Sequence, residues 1–207
     1  MTNAALLETR FGVVALHLRE SAAVKCRTAE VCAEAVMAVA RRIATACTRG
    51  GKLLLCGNGG SAADCQHMAA EFTSRLSATF VRPGLPAIAL TTDTSFLTAY
   101  ANDFQFDGVF ARQVQALGKS GDVLLGISTS GNSKNVIQAF AIAQSMNVCT
   151  IALTGSSGGR LKGLADVAIC VPSDNTQHIQ ETHLAIEHII CHLVERALFG
   201  EQQATAI

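Results

Sequence analysis

Three polar side chains interrupt an alanine-rich stretch in the first half of the chain: Asp64, His67 and Glu71. Spacings of three and four place them on one face of a helix. A histidine and a carboxylate four residues apart can ligate one divalent metal ion, and such a carboxylate can also take a proton. A solvated helix face shows the same pattern, so the stripe needs partners before it means a site. The end of the chain offers them in Gln180, His183, His188 and His192. His188 and His192 are themselves four apart and form a rival metal pair, farther from the start of their helix.

Two loops of small polar residues suggest a different chemistry, the binding of an anion. They are Gly57-Asn58-Gly59-Gly60-Ser61 and Ser128-Thr129-Ser130-Gly131-Asn132-Ser133. Each follows a short apolar run and opens a helical stretch. Gly131 lets the backbone approach a ligand closely, and the free amides and dipole of a helix start favour negative charge. Ser128, Thr129, Ser130 and Ser133 add hydroxyl donors. Neither loop has the lysine of GxxxxGK[ST], which argues against a nucleoside triphosphate. The first loop is not GxGxxG, which argues against a dinucleotide. A serine-rich helix cap is the alternative to a phosphate site.

The elements that must position these groups follow from hydrophobic patterning. Apolar runs at 53–56, 87–90, 123–127, 149–153 and 167–171 are continuous, as parallel strands covered on both faces should be. Helical stretches at 61–77, 106–117, 134–146 and 176–198 separate or follow them, with a short turn near Leu161. Residues 6–24 and 28–48 form two helices before the first strand, closed by Gly50 and Gly51. The whole reads as a three-layer αβα sandwich around a five-stranded parallel sheet in flavodoxin-like order. Ligands of such sheets bind at the carboxyl ends of the strands where strand order reverses. Both polar loops fall there. The expected organisation is one domain over 1–207, with a helical pair at 1–50 and the α/β core with its long last helix at 51–207.

Composition excludes several classes. Half the chain is apolar (49%) and 15% is charged, with 16 basic and 16 acidic residues. That is too apolar for disorder, and no net field draws in nucleic acid or an acidic membrane surface. No stretch is apolar for long enough to cross a membrane, and no signal-peptide pattern opens the chain. None of the eight cysteines forms a CxxC pair, and most lie in apolar segments, which reads as reduced thiols in the cytoplasm.

Taken together, Leu55-Cys56-Gly57-Asn58-Gly59-Gly60-Ser61, then Gln66-His67 and Glu71, resemble the sugar isomerase (SIS) fold, and within it the phosphoheptose isomerases. Ala101-Asn102-Asp103-Phe104, the serine loop, and Ile179-Gln180-Glu181-Thr182-His183 with His188 extend the resemblance in order along the chain. The resemblance implies conversion of sedoheptulose 7-phosphate to D-glycero-D-manno-heptose 7-phosphate, a first step toward nucleotide-activated heptose for envelope lipopolysaccharide. It implies one zinc ion per subunit on His67, Glu71, Gln180 and His188, with Glu71 as base and His188 as acid. Substrate contacts are implied for Asn58, Gly59, Gly60, Ser61, Glu71, Asn102, Asp103, Ser128, Thr129, Ser130, Ser133 and Gln180, with Asp64 and Arg75 in support. It also implies a homotetramer. His178 departs from the family, which usually carries arginine before Ile-Gln.

A second reading is a non-catalytic SIS protein that senses sugar phosphate or binds a protein such as a replication initiator. It would not need the four metal groups, and the pair Leu198-Phe199 would be its apolar contact unless it packs on the helix end. The expected enzyme poses a geometric problem of its own. Gln180 and His188 are separated by about 12 Å of rise and about 80° of turn on one helix. Both reach one ion only if neighbouring chains share the site or the helix start is irregular.

Overall fold

The computed structural model describes the backbone of residues 3–200 and the side chains from Phe11 onward. The first two helices are α1 (Asn3–Val31) and α2 (Ala33–Thr48), separated only at Cys32. The gap expected at 25–27 is absent, because Lys25, Cys26 and Arg27 include no helix breaker. Backbone bonds run across the break, from the Cys32 amide to the Thr28 carbonyl (2.9 Å) and from the Val36 amide to the Cys32 carbonyl (3.0 Å). The buried Thr28 hydroxyl donates back to the Val24 carbonyl, a bond that bends helices.

Strands and helices then alternate: β1 (Leu53–Gly57), α3 (Gly60–Thr73), β2 (Ala87–Ala89), α4 (Thr94–Asp103), a 3₁₀ turn (Phe106–Gly108) and α5 (Val109–Leu117). After these come β3 (Val123–Ser128), α6 (Lys134–Ser145), β4 (Cys149–Thr154), α7 (Gly159–Leu164), β5 (Val167–Cys170) and α8 (Thr176–Phe199). The five strands are parallel in the order β2-β1-β3-β4-β5, so the order reverses between β1 and β3 as expected. Alternate residues of one strand feed two cores. Leu53 and Leu55 pack with α2, α3 and α8. Leu54 and Cys56 pack with α5 and α6. Burial on both faces is why the strand sequences are apolar without alternation.

Three expected elements differ. Helix α4 was not among the expected elements; Phe96, Leu97, Tyr100 and Ala101 form a short, half-buried apolar stripe against the second core, and Asp93 caps its start, its carboxylate accepting from the Phe96 amide (2.9 Å). Helix α3 ends at Thr73 rather than at 77, and the first residues of the expected 106–117 helix form the 3₁₀ turn. All eight cysteines are free. Cys32, Cys56, Cys65 and Cys191 are buried, while Cys26 is exposed. Among the described residues no helix is long and apolar enough to cross a membrane.

His183 ties α8 to the sheet. It is fully buried, and its Nε2 lies 3.1 Å from the Thr154 carbonyl, so the neutral ring carries its proton there. Burial lowers its pKa from 6.5 to about 4, against the raising effect of that bond. Both states are neutral above pH 6.5, and stability is fully present there. It declines as the pH falls toward about 4, because the unfolded chain takes up the proton first. Replacing His183 with Asn, which keeps a donor, should flatten the loss of stability between about pH 7 and about pH 4.5 by at most about 3 kcal/mol. Urea denaturation at the two pH values measures it.

Candidate active site

The two polar loops lie side by side at the carboxyl ends of β1 and β3. Asn58 and Asn135 exchange reciprocal amide bonds of 3.0 and 2.8 Å, tying the first loop to the start of α6. Neither α3 nor α6 has a side-chain cap: Gly59 precedes one and Ser133 the other. Both helix starts therefore keep amide donors for an anion. Within the second loop the Ser128 and Ser133 hydroxyls are 2.8 Å apart, and Ser130 Oγ accepts from the Asn132 amide (3.2 Å). Gly131 has φ +65°, and a Cβ there would lie 2.0 Å from the Gly158 carbonyl oxygen. A cavity of about 300 Å³ opens beside this loop, lined by Thr129, Ser130, Asn132, Ser156 and Asp174 among others.

The polar stripe on α3 meets α8. His67 Nε2 lies 3.1 Å from Glu71 Oε1 and 3.3 Å from His188 Nε2. One ligand atom from each of His67, Glu71 and His188 falls within 4.8 Å of the others, a group able to hold a metal ion. Two details suit a cation. The second carboxylate oxygen, Glu71 Oε2, is buried with no hydrogen-bond partner. Two neutral imidazole nitrogens facing each other can share at most one proton, whereas both can donate lone pairs to an ion.

Comparison with known proteins gives the family of the chain. The SIS domain model matches residues 17–155. A phosphoheptose isomerase from Roseiflexus sp. (strain RS-1) is 54% identical, over 89% of this chain and 93% of that protein. One from Burkholderia pseudomallei (strain K96243) is 53% identical, over 82% of this chain and 87% of that protein. The solved phosphoheptose isomerase GmhA from Neisseria gonorrhoeae superposes with a TM-score of 0.84 at 45% identity, covering 91% of this chain and 98% of its own. The chain belongs to the phosphoheptose isomerase family. A family member from Francisella tularensis superposes equally well, with a TM-score of 0.84 at 37% identity over 95% of this chain.

The remaining residues suggested by the family resemblance are distributed as follows. Gln180 packs against Gly60, where its Nε2 lies 2.6 Å from the position a Cβ would take. Ser61 is buried in the first turn of α3, and Asp64 is half-buried, with burial raising its pKa and His67 opposing that. Asn102 and Asp103 sit exposed at the end of α4 and are bonded to each other (2.9 Å); among the described residues no hydrogen bond joins them to the other candidates. Arg75 is exposed beyond the end of α3. The rival histidine pair does not form, since His192 is exposed and His188 turns to His67. His178 is buried against α1, with its ring 4.7 Å from that of His17 and its Nε2 4.0 Å from Glu20, and so serves helix packing. Leu198 and Phe199 pack partly buried on the core.

His67, Glu71 and His188 of a single chain come together, so this part of the site needs no residue from a neighbour. Helix α8 is regular from its start, where Asn175 accepts from the Gln177 and His178 amides. The physical reason is that α3 and α8 run side by side in the same direction. Gln180 faces Gly60 near both helix starts, and His188 faces His67 two turns further on.

Four functional candidates escaped the sequence reading. Asn135 locks the two loops, and Asp174 and Ser156 are hydrogen-bonded to each other in the cavity wall. Glu187 is buried beside the metal group with neither oxygen partnered, and burial followed by the Asp64 charge raises its pKa to about 8. The asparagine could have been noticed as a polar residue in the first turn of α6, directly after the serine loop. The others depend on long-range packing.

Replacing Gly131 with Ala should disrupt the serine loop. It combines a left-handed backbone with a backbone clash at 2.0 Å. A loss of about 3 kcal/mol or more in urea denaturation is expected.

Proposed function

We propose that the chain interconverts sedoheptulose 7-phosphate and D-glycero-D-manno-heptose 7-phosphate through an enediol. The observation that carries this reading is the three-residue group of His67, Glu71 and His188 beside two uncapped helix starts, in a chain of the phosphoheptose isomerase family. The alternative of a non-catalytic sugar-phosphate sensor finds no support in a chain that brings these three groups together.

An aldose–ketose exchange moves a proton between adjacent carbons. It needs a base at carbon and an acid at oxygen. Glu71 suits the base, because its Oε2 is desolvated and free of any protein donor. His188 suits the acid, with Nε2 on the same side of the group. His67, Glu71 and His188 would hold a zinc ion, one per subunit, while Gln180, the fourth ligand that the family resemblance implies, lies against Gly60 nearer the helix starts. Zinc bound there would polarise the carbonyl and favour the enediolate oxygen. The amides of Gly59, Gly60 and the α6 start, with the hydroxyls of Ser61, Ser128, Thr129, Ser130 and Ser133, would anchor the phosphate and set the reacting carbons near Glu71. Asn58, Asn102, Asp103 and Gln180 remain proposed contacts to the sugar.

The same reading includes a homotetramer in the cytoplasm. Its support is an exposed apolar face on α1, where Phe11, Val13, Val14, Leu16 and Leu18 are each more than half exposed. An apolar hollow of about 330 Å³ between α1, α2 and α8 adds to it. Light scattering of the purified chain should give four times the chain mass. The eight free thiols support a reducing compartment.

Two experiments test the chemistry. Turnover of sedoheptulose 7-phosphate should fall by about 10²-fold or more in Glu71→Gln and should be lost on chelation and restored by zinc. Near-normal turnover of the variant would exclude Glu71 as the base. Replacing Ser130 or Ser133 with Ala should weaken substrate binding about tenfold to a hundredfold, from the loss of about 1.5–3 kcal/mol per charge-assisted bond. Calorimetry with sedoheptulose 7-phosphate reads this directly.

A further inference from the structure

Helix α3 stops at Thr73, two residues beyond Glu71, and its last carbonyls need partners. The Ala70 carbonyl accepts from the Ser74 amide (2.8 Å) and that of Phe72 from the Leu85 amide (2.9 Å), and one side chain serves Glu71 and Phe72 together. Arg82 reaches back from the irregular segment after α3. Its Nη2 donates to the Glu71 carbonyl (2.6 Å), and its Nη1 donates to the carbonyls of Phe72 (2.7 Å) and Pro83 (3.1 Å). Its Nε donates to Glu195 Oε1 on α8 (2.7 Å). The side chains of Arg82 and Glu195 are 1% and 3% exposed. Glu195 Oε1 also accepts from the Leu76 amide (3.4 Å), and Arg196 lies over the Phe80 ring at 4.8 Å, so the segment is closed down on α8.

Glu195 is seven residues beyond His188, two helical turns along the same face. One guanidinium therefore bonds the backbone of Glu71 on one helix and the side chain that continues the His188 face on the other. We propose that Arg82, with Glu195, is a positioning residue that sets the separation of Glu71 from His188. The inference rests on the isomerase reading above. A planar fork with donors along two edges can serve carbonyls and a carboxylate at once, whereas an ammonium acts from a single point. The ion pair need not be retained for stability alone, since apolar replacements of buried pairs are often neutral or stabilising.

The test compares the wild-type chain with Arg82→Lys, with the double replacement Arg82→Met/Glu195→Leu, and with Val114→Ala. The last is a destabilising control on α5, on the other face of the sheet. Zinc affinity is read by competition with a chromophoric chelator, thermal stability by calorimetry, and kcat and KM with sedoheptulose 7-phosphate. Arg82→Lys and the double variant should each lose about tenfold to a hundredfold in zinc affinity, the usual effect of removing a residue that orients ligands. Their kcat should fall while KM changes less than twofold, because the phosphate loops are untouched. Val114→Ala should lower the melting temperature and leave zinc affinity and kcat in place. If the double variant folds and keeps zinc affinity and kcat within twofold, the proposal is overturned. The same holds if the control loses as much of both as the Arg82 variants do. A wild-type chain that neither binds zinc nor isomerises the sugar overturns the isomerase reading and this inference together. An active wild type with unaffected Arg82 variants overturns this inference alone.

Discussion

The side-by-side, parallel packing of α3 and α8 on one face of the sheet is the constraint on which the site depends. Three levels of contact run along it. Gln180 meets Gly60 near the helix starts, His188 meets His67 in the middle, and Glu195 meets Arg82 beyond the end of α3. Sliding one helix by a turn, about 5 Å, would separate all three. Between these levels lies a dense core of Cys65, Met68, Phe72, Ile186, Ile190 and Val194, each almost fully buried. That packing holds the polar groups in register, because close-packed side chains resist small displacements.

The phosphate end is built by a different means, backbone against backbone. Glycines at 131, 158 and 159 take left-handed conformations so that the β3 and β4 loops can touch without side chains between them. The Gly155 amide donates to the Thr129 carbonyl (2.9 Å), and the Leu161 amide donates to the Gly131 carbonyl (3.0 Å). These bonds, with the Asn58–Asn135 pair, fix the loops before any ligand arrives. A site for an anion benefits from such rigidity, since donors already in place pay no ordering entropy on binding.

Charge is distributed unevenly despite the zero net balance. Glu71, Glu187 and Glu195 all lie near Cys191, whose thiol is pushed up by burial first and then by these carboxylates. Arg82 is the cation within that region. Of these carboxylates Glu71 alone stands next to the two histidines, and its unpartnered oxygen makes a place for a divalent cation.

Much of this was legible in the sequence. Continuous apolar strands, the two glycine- and serine-containing loops and the Asp64/His67/Glu71 spacing are local patterns, and local sterics and burial dictate them. They sufficed for the sheet order, for the switch point between β1 and β3, and for the helix face of α3. Helix α4 was hidden because its apolar stripe, Phe96, Leu97, Tyr100 and Ala101, spans little more than one turn and its cap is a single side chain, Asp93. The tertiary structure alone decided that His188, and not His192, would face His67, and that both would come from one chain. It alone recruited Asn135, Glu187 and Arg82. Those choices depend on how far apart and in which direction α3 and α8 lie on the sheet. That relation joins residues more than a hundred positions apart, and no spacing within either segment encodes it.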